Sequence, residues 1–270
     1  MMEALAAGFF GLLTGSFLNV CIYRLPRDLS VVTPRSHCTS CERTIAWYDN
    51  VPVLSYILLG GKCRHCRAPF SIRYPIVELL TGVLFFLSVY SRGPNPVGLK
   101  LCVFSAIMVD LIFTDLADRI LPDEFTLGGA AAGVVLAAFT PPASSVALLF
   151  LPSSLPGWIH SVAEAALGSA VCAGLLWLTG RIYQLVRRRE GLGFGDVKML
   201  LTVGAFLGLP GALLTVFFGS VLGALIGALY IYLSKEDMTY ELPFGSFLGI
   251  AALIVGLFGE QITAWYWKLG

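Results

Sequence analysis

Charge is scarce in this chain of 270 residues. Only 13% of them are Asp, Glu, Lys or Arg, while 57% are hydrophobic and the mean hydropathy is +0.80. A soluble domain carries about a quarter charged residues on its surface, so a soluble globular class is excluded. The net charge of +1 gives no ground for a nucleic-acid partner, and none is expected. The Met-Met-Glu start lacks a basic n-region, and no small-residue cleavage site follows the first apolar stretch. It reads as an uncleaved first span with its N-terminus outside, not as a signal peptide. No Gly-x-Gly-x-x-Gly fingerprint follows a strand pattern, so a Rossmann-type cofactor site is not expected. The segment 140–158 carries no charge and several Pro and Ser. It reads as an external linker or a loop lying on the membrane, without chemistry.

What the chain does have is apolar length. Stretches near 3–23, 74–91, 97–114, 124–140, 159–180, 197–209, 211–233 and 244–263 approach the ~20 residues a helix needs to cross a bilayer. The sixth is short and Gly-rich. The expected fold is an all-α polytopic membrane protein with about eight transmembrane helices. Alternation from an outside N-terminus puts 24–73, 115–123, 181–196 and 234–243 on one side. Every Lys and Arg falls in or at the edge of those loops except Arg92, Lys100 and Lys268. The positive-inside rule makes that side cytoplasmic. The division expected is a first helix (1–23), a cytoplasmic tetra-cysteine loop (24–73) and a membrane bundle (74–270).

Cysteine is concentrated in that loop. Cys38-Thr-Ser-Cys41 and Cys63-Arg-His-Cys66 are separated by 21 residues. Each Cys-x-x-Cys aims two thiols at one point, and two such knuckles make a zinc-ribbon-like tetrahedral zinc site of structural type, with no open coordination position. Two redox dithiols, or two disulfides under an inverted topology, are the competing readings, and His37 and His65 could stand in as ligands. Cys21, Cys102 and Cys172 sit singly in apolar spans and read as packing residues.

The remaining signal is acid at membrane-span ends, where ionisable groups are functional candidates. Asp115, Asp118, Asp123 and Glu124 lie where the third span reaches the cytoplasm, and Gly193-Phe-Gly195-Asp196-Val-Lys198 opens the sixth on the same face. Paired, Asp115 and Asp196 suit an aspartic-protease arrangement. Two carboxyls a few ångströms apart share a proton, so one activates a water while the other polarises or protonates the scissile carbonyl. In that scheme Gly193 and Gly195 let the backbone approach an extended peptide and adopt positive φ before Asp196. The plainer readings are a solvated acidic loop, and Asp196 as a residue stabilising a helix N-terminus.

These segments together resemble the type IV prepilin peptidase family, the leader peptidase/N-methyltransferases. The resemblance rests on Gly15-Ser-Phe-Leu-Asn19-Val-Cys-Ile-Tyr-Arg24-Leu-Pro26, the two Cys-x-x-Cys pairs, Asn50-Val-Pro-Val-Leu-Ser55-Tyr and Ser71-Ile-Arg73-Tyr-Pro75-Ile-Val-Glu78. Asp115 with Leu121-Pro122-Asp123, and Gly191-Leu-Gly-Phe-Gly195-Asp196-Val-Lys198, complete the order over residues 8–205. Beyond that the likeness is mainly hydropathy.

The resemblance implies a Gly-x-Gly-Asp aspartic endopeptidase in the bacterial cytoplasmic (inner) membrane. Its substrates are precursors of type IV pilins or type II secretion pseudopilins, cut after a glycine between a basic leader and a hydrophobic helix. Methylation of the new N-terminal amine by S-adenosylmethionine follows in many members. On this reading Asp115 and Asp196 are catalytic, with Gly193, Gly195, Asp118, Asp123 and Lys198 supporting them. Asp118 follows the first aspartate by three positions where the family pattern has two. Glu78 is a candidate contact for the methyl donor, against the plainer reading of a partner for Arg73 or Arg24. Asp110 is a candidate to tune the dyad or to line a polar groove, and Glu164 with His160 reads as an interfacial anchor. An archaeal-type preflagellin peptidase and a transporter with intramembrane acids are the alternatives; the cysteine loop argues against the first, and the clustering of acids at one membrane edge against the second.

Overall fold

The computed structural model describes residues 1–142, 146–188, 193–234 and 243–268. It divides into two compact units, Met1–Thr114 and Asp115–Gly270. Regular structure is helical throughout the described residues: α1 Met2–Arg24, α2 Leu54–Leu58, α3 Arg73–Arg92, α4 Pro96–Asp118, α5 Asp123–Ala137, α6 Gly157–Arg187, α7 Phe194–Ser234 and α8 Phe244–Trp267. Six of these are long and apolar enough to cross a membrane, namely α1, α3, α4, α6, α7 and α8. The eight expected stretches all become helix. The sixth and seventh are joined in α7, and the fourth is α5, only 15 residues long. The chain is a multi-pass membrane protein.

In the first unit α1 packs on α3. The contact is made by small residues, as close helix packing in a bilayer requires. A Cβ at Gly11 would lie 2.7 Å from the Thr81 carbonyl oxygen, and one at Gly15 would lie 2.6 Å from the Glu78 Cα. The opposite face of α1, with Leu5, Phe9, Phe10 and Phe17, is exposed as a lipid-facing surface would be. Asn19 ties the two helices beyond the glycines: its Nδ2 donates to the carbonyls of Gly15 (3.3 Å) and Tyr74 (3.0 Å).

In the second unit α7 packs against α5, α6 and α8. At its crossing with α6, a Cβ on Gly204 would sit 2.3 Å from backbone atoms of Gly168 and Ser169. Within α7 the helical path breaks at Gly208 (φ 67°, ψ −176°), two residues before Pro210. That backbone conformation is open essentially only to glycine. The break frees amides that a continuous helix would satisfy. Buried Glu164 of α6 accepts from the Leu209 N–H at 3.4 Å and from the Ala147 N–H at 3.0 Å.

Glu164 is therefore a core residue at a helix break, not the interfacial anchor expected. The segment 140–158 is likewise no detached linker. Ala147 is buried, Ser161 donates to the Thr140 carbonyl at 2.7 Å, and His160 pairs with the Pro152 carbonyl at 3.2 Å. The basic stretch expected at 181–196 is described only to Arg188 and from Gly193, so Arg189, Gly191 and Leu192 lie outside the described residues, as does most of 234–243.

Candidate active site

Asp115 lies in the last turn of α4 and is the first residue of the second unit; Asp196 lies in the first turn of α7. They are 81 positions apart, yet both are buried, at 6% and 8% exposure. They meet at the start of α8. A Cβ placed on Gly245 would sit 3.1 Å from Asp115 Oδ2 and 3.1 Å from Asp196 Oδ1. The Gly245 backbone thus lies against an oxygen of each carboxyl, an approach that any side chain at residue 245 would crowd. Ser246, the next residue, donates its N–H (2.6 Å) and its hydroxyl (2.7 Å) to Asp115 Oδ2.

Asp196 is held by how α7 begins. Its N–H donates to the Gly193 carbonyl at 3.2 Å, and a Cβ on Gly193 would approach its Oδ2 at 3.4 Å. Gly195 does not adopt the positive φ expected of it. It is helical, in the first turn of α7, and serves by letting Leu121 pack at the position its Cβ would crowd (3.1 Å to Leu121 Cδ1). Three contacts one helical face apart fasten the start of α7 to the start of α5: Gly195 on Leu121, an ion pair of Lys198 with Asp123, and the Thr202 hydroxyl to the Thr126 carbonyl at 2.5 Å. Asp123 and Lys198 therefore act on each other, at the edge of the site. Asp118 ends α4, half-buried, three residues beyond Asp115 and so on the same helical face.

In the first unit the four cysteines converge. Their sulfur atoms all lie within 4.8 Å of one another, with Cys38 and Cys66 3.7 Å apart. Four sulfurs around a zinc at ~2.3 Å would be separated by roughly 3.8 Å, so the cluster fits a metal. The two knuckles match. The N–H of Cys38 meets the Arg43 carbonyl and that of Cys63 the Ala68 carbonyl, while Glu42 and Arg67, each directly after the second cysteine, take positive φ (58° and 61°). All four thiols are free, with no disulfide among them.

The N–H groups of Ser40 and Cys41 hold the Cys38 thiol down to about 6 against the cost of burial. Cys66, although the Ala68 N–H favours its thiolate, is pushed up to about 11 by desolvation and its three neighbours. A divalent cation is the partner that lets all four ionise together. His37 pairs with the Arg35 carbonyl and His65 with Arg43, so each histidine has another partner. Arg64, inside the second knuckle, forms a bidentate pair with Asp49 at 2.7 and 2.5 Å, fastening the cluster to the 47–50 turn.

Glu78 of α3 is buried and accepts from the Val53 N–H at 2.7 Å. That replaces the expected pairing with Arg24 or Arg73, for the Arg24 guanidinium instead donates to the carbonyls of Ser30 and Pro34, both at 2.8 Å. Sequence reasoning missed Gly245 and Ser246 altogether. The signal available was a Pro243-Phe-Gly-Ser246 start to an otherwise uniform apolar helix.

Comparison with known proteins agrees with this geometry. Residues 9–92 match the model of the bacterial peptidase A24 N-terminal domain, and residues 102–228 that of the type IV leader peptidase family. A prepilin leader peptidase/N-methyltransferase of Aeromonas hydrophila is 34% identical over 95% of this chain and 91% of its own. One from Xanthomonas campestris pv. campestris is 32% identical over 97% and 93%. One from Myxococcus xanthus is 37% identical over 82% of this chain and 61% of its own. No solved structure matches the chain. The transporter alternative is left without support, and the chain belongs to the type IV leader peptidase family.

Proposed function

We propose that this protein is an aspartic endopeptidase that removes the leader from type IV prepilins or type II secretion pseudopilins and then methylates the new N-terminus. The observation that carries the first activity is the meeting of the Asp115 and Asp196 carboxyls against Gly245. The nucleophile in this reading is a water held between the two carboxyls. One carboxylate takes its proton as the oxygen attacks the scissile carbonyl carbon, and the other carboxyl gives its proton to the carbonyl oxygen. Collapse of that tetrahedral species breaks the C–N bond as a proton passes to the leaving amine.

Ser246 fixes which oxygen is free. Asp115 Oδ2 already accepts two donors, so a proton held by Asp115 sits on Oδ1. Gly193 and Gly195 keep the start of α7 narrow beside Asp196, and the Asp123–Lys198 pair fastens that start to α5. Both reactions belong to the cytoplasmic face of the inner membrane, with the N-terminus outside; the distribution of Lys and Arg supports this orientation.

The four cysteines hold zinc, which supplies structure and not chemistry, since four thiolates leave no open position. S-adenosylmethionine, when bound, supplies an electrophilic methyl group to the deprotonated amine, and Glu78 is the proposed contact on this chain.

The test is mass spectrometry of a purified pilin precursor incubated with the wild-type, Asp115→Asn and Asp196→Asn proteins in detergent. Wild type alone should remove the leader mass, and the product should gain one methyl group only when S-adenosylmethionine is added. Cleavage by both variants would overturn the dyad.

A further inference from the structure

A cleft of about 400 Å³ runs along α1 in the first unit, with the loop that follows α1 as its other side. One wall is a single helical face: Leu13, Phe17, Val20 and Arg24. Leu13 and Phe17 are exposed and continue the outward, lipid-facing surface of α1. Leu13 lies 11 residues before Arg24, about 16 Å along the helix. That is about half of a hydrocarbon core ~30 Å thick. The cleft therefore starts deep in the apolar layer and ends at the basic end of the span.

The opposite wall comes from Val31, Val32, Trp47 and Pro52. Val32 is 80% exposed and Trp47 74%. Water disfavours such exposure on a loop, whereas a membrane edge favours it, and Trp is enriched there. This wall is also held in place. Buried Arg24 donates to the Ser30 and Pro34 carbonyls, both at 2.8 Å, which pins the turn carrying Val31 and Val32. Beside Trp47, the Ser55 hydroxyl donates to the Tyr48 carbonyl at 3.0 Å. Val53, directly after Pro52, takes φ 60° and ψ −48°, strained for a β-branched residue. Its N–H is held at 2.7 Å by the Glu78 carboxylate of α3.

Charge selects the occupant. No Asp or Glu lines the cleft. Arg35 does, and it follows Pro34, whose carbonyl Arg24 holds, so it stands at the water end. Arg35 is exposed, and no acid among the described residues pairs with its guanidinium. The loop as a whole, 24–73, carries eight Lys and Arg against three Asp and Glu, which draws it to an anionic leaflet. An apolar slot open to the bilayer, with a guanidinium above it, matches an acyl chain below a phosphate. We propose that the cleft holds one anionic phospholipid, with an acyl chain between Phe17 and Trp47 and its phosphate on Arg35. The lipid seats the cysteine loop on the membrane, at the cytoplasmic leaflet in the orientation proposed above. Neither enzymatic activity is needed for this inference.

The experiment reads tryptophan fluorescence of the full-length, zinc-loaded protein in phosphatidylcholine nanodiscs. A small share of the lipid is brominated along its acyl chains, as phosphatidylglycerol or as phosphatidylcholine. Subtracting the Trp47→Phe signal isolates Trp47. Brominated phosphatidylglycerol should quench Trp47 severalfold more than the same share of brominated phosphatidylcholine. Arg35→Ala should abolish that preference, with zinc content and unfolding temperature unchanged. Absence of quenching by either lipid would place the loop in water and end the proposal. Equal quenching by both in the wild type would mean contact with bulk bilayer and no site. Relief of quenching by inorganic phosphate would make it a free-anion site, and relief by a precursor pilin a groove for the substrate helix; either result overturns the lipid.

Discussion

Ser246 places its backbone N–H and its hydroxyl on the same oxygen of Asp115, Oδ2, at 2.6 and 2.7 Å, from 131 positions away in the chain. The start of α8 is thereby part of the dyad, although it carries no ionisable group.

Ser246→Ala removes the hydroxyl and keeps the N–H. A hydrogen bond to a charged group is worth about 1.5–3 kcal/mol, which is at least tenfold in rate when felt in the transition state. The expected outcome is a drop in kcat of about tenfold or more with KM for a pilin precursor little changed, because Ser246 positions Asp115 and does not touch the substrate. Ser246→Thr, which keeps a hydroxyl, should recover most of it. A rise in KM at constant kcat would show instead that this turn binds the substrate.

Gly245→Ala asks a different question. Its methyl would sit 3.1 Å from an oxygen of each aspartate and press on both carboxyls. Cleavage should fall by at least a hundredfold while methylation of a pilin already cut continues, since Glu78, the proposed contact for the methyl donor, lies in the first unit. Equal loss of both activities, with a lowered unfolding temperature, would mean that the substitution acts by disturbing the fold.

What the sequence revealed followed from local pattern. The Cys-x-x-Cys spacings led to the cluster, the apolar lengths to the helices, and the rarity of acid in apolar surroundings to Asp115 and Asp196. The Gly245–Ser246 turn was hidden because it is small, neutral and far along the chain, and only packing makes it an acid's neighbour. The strained Val53 was hidden for a related reason, since nothing in Val-Pro-Val announces a left-handed backbone. Gly195 was misjudged because glycine in a motif has two physical uses. Here the absence of a Cβ, which admits Leu121, matters more than freedom in φ. The apolar run near 197–233 was divided at Pro210, while the backbone breaks at Gly208. Glu164, whose acid answers that break, could not be matched to it from spacing.

Metal removal should separate the two activities. A structural zinc contributes on the order of 10–16 kcal/mol to its own small fold, so mild chelators should leave it in place and strong ones, or Cys38→Ser with Cys63→Ser, should not. The zinc-free protein should lose binding of S-adenosylmethionine and become susceptible to limited proteolysis within residues 24–73. Cleavage of a precursor by the dyad should persist, because Asp115, Asp196 and Ser246 all lie in the second unit. Metal analysis alongside both assays checks this. Simultaneous loss of cleavage would show that the loop also serves the peptidase.

Gly204→Val tests the scaffold that holds Asp196. The helices α6 and α7 meet backbone to backbone, and any Cβ at residue 204 would fall 2.3 Å from atoms of Gly168 and Ser169 that cannot rotate away. Overpacking a well-packed core costs about 1–3 kcal/mol, and here the obstacle is main chain, so the upper end is expected. Ser169 donates to the Leu201 carbonyl at 2.7 Å across the same crossing, and forcing the helices apart would break that bond too. The substitution should lower the unfolding temperature in detergent and reduce cleavage, because α7 carries Asp196 in its first turn. Binding of S-adenosylmethionine should be spared. If unfolding is unchanged, the close crossing is not what holds α7 in place, and the contacts at Leu121, Asp123 and Thr126 must suffice.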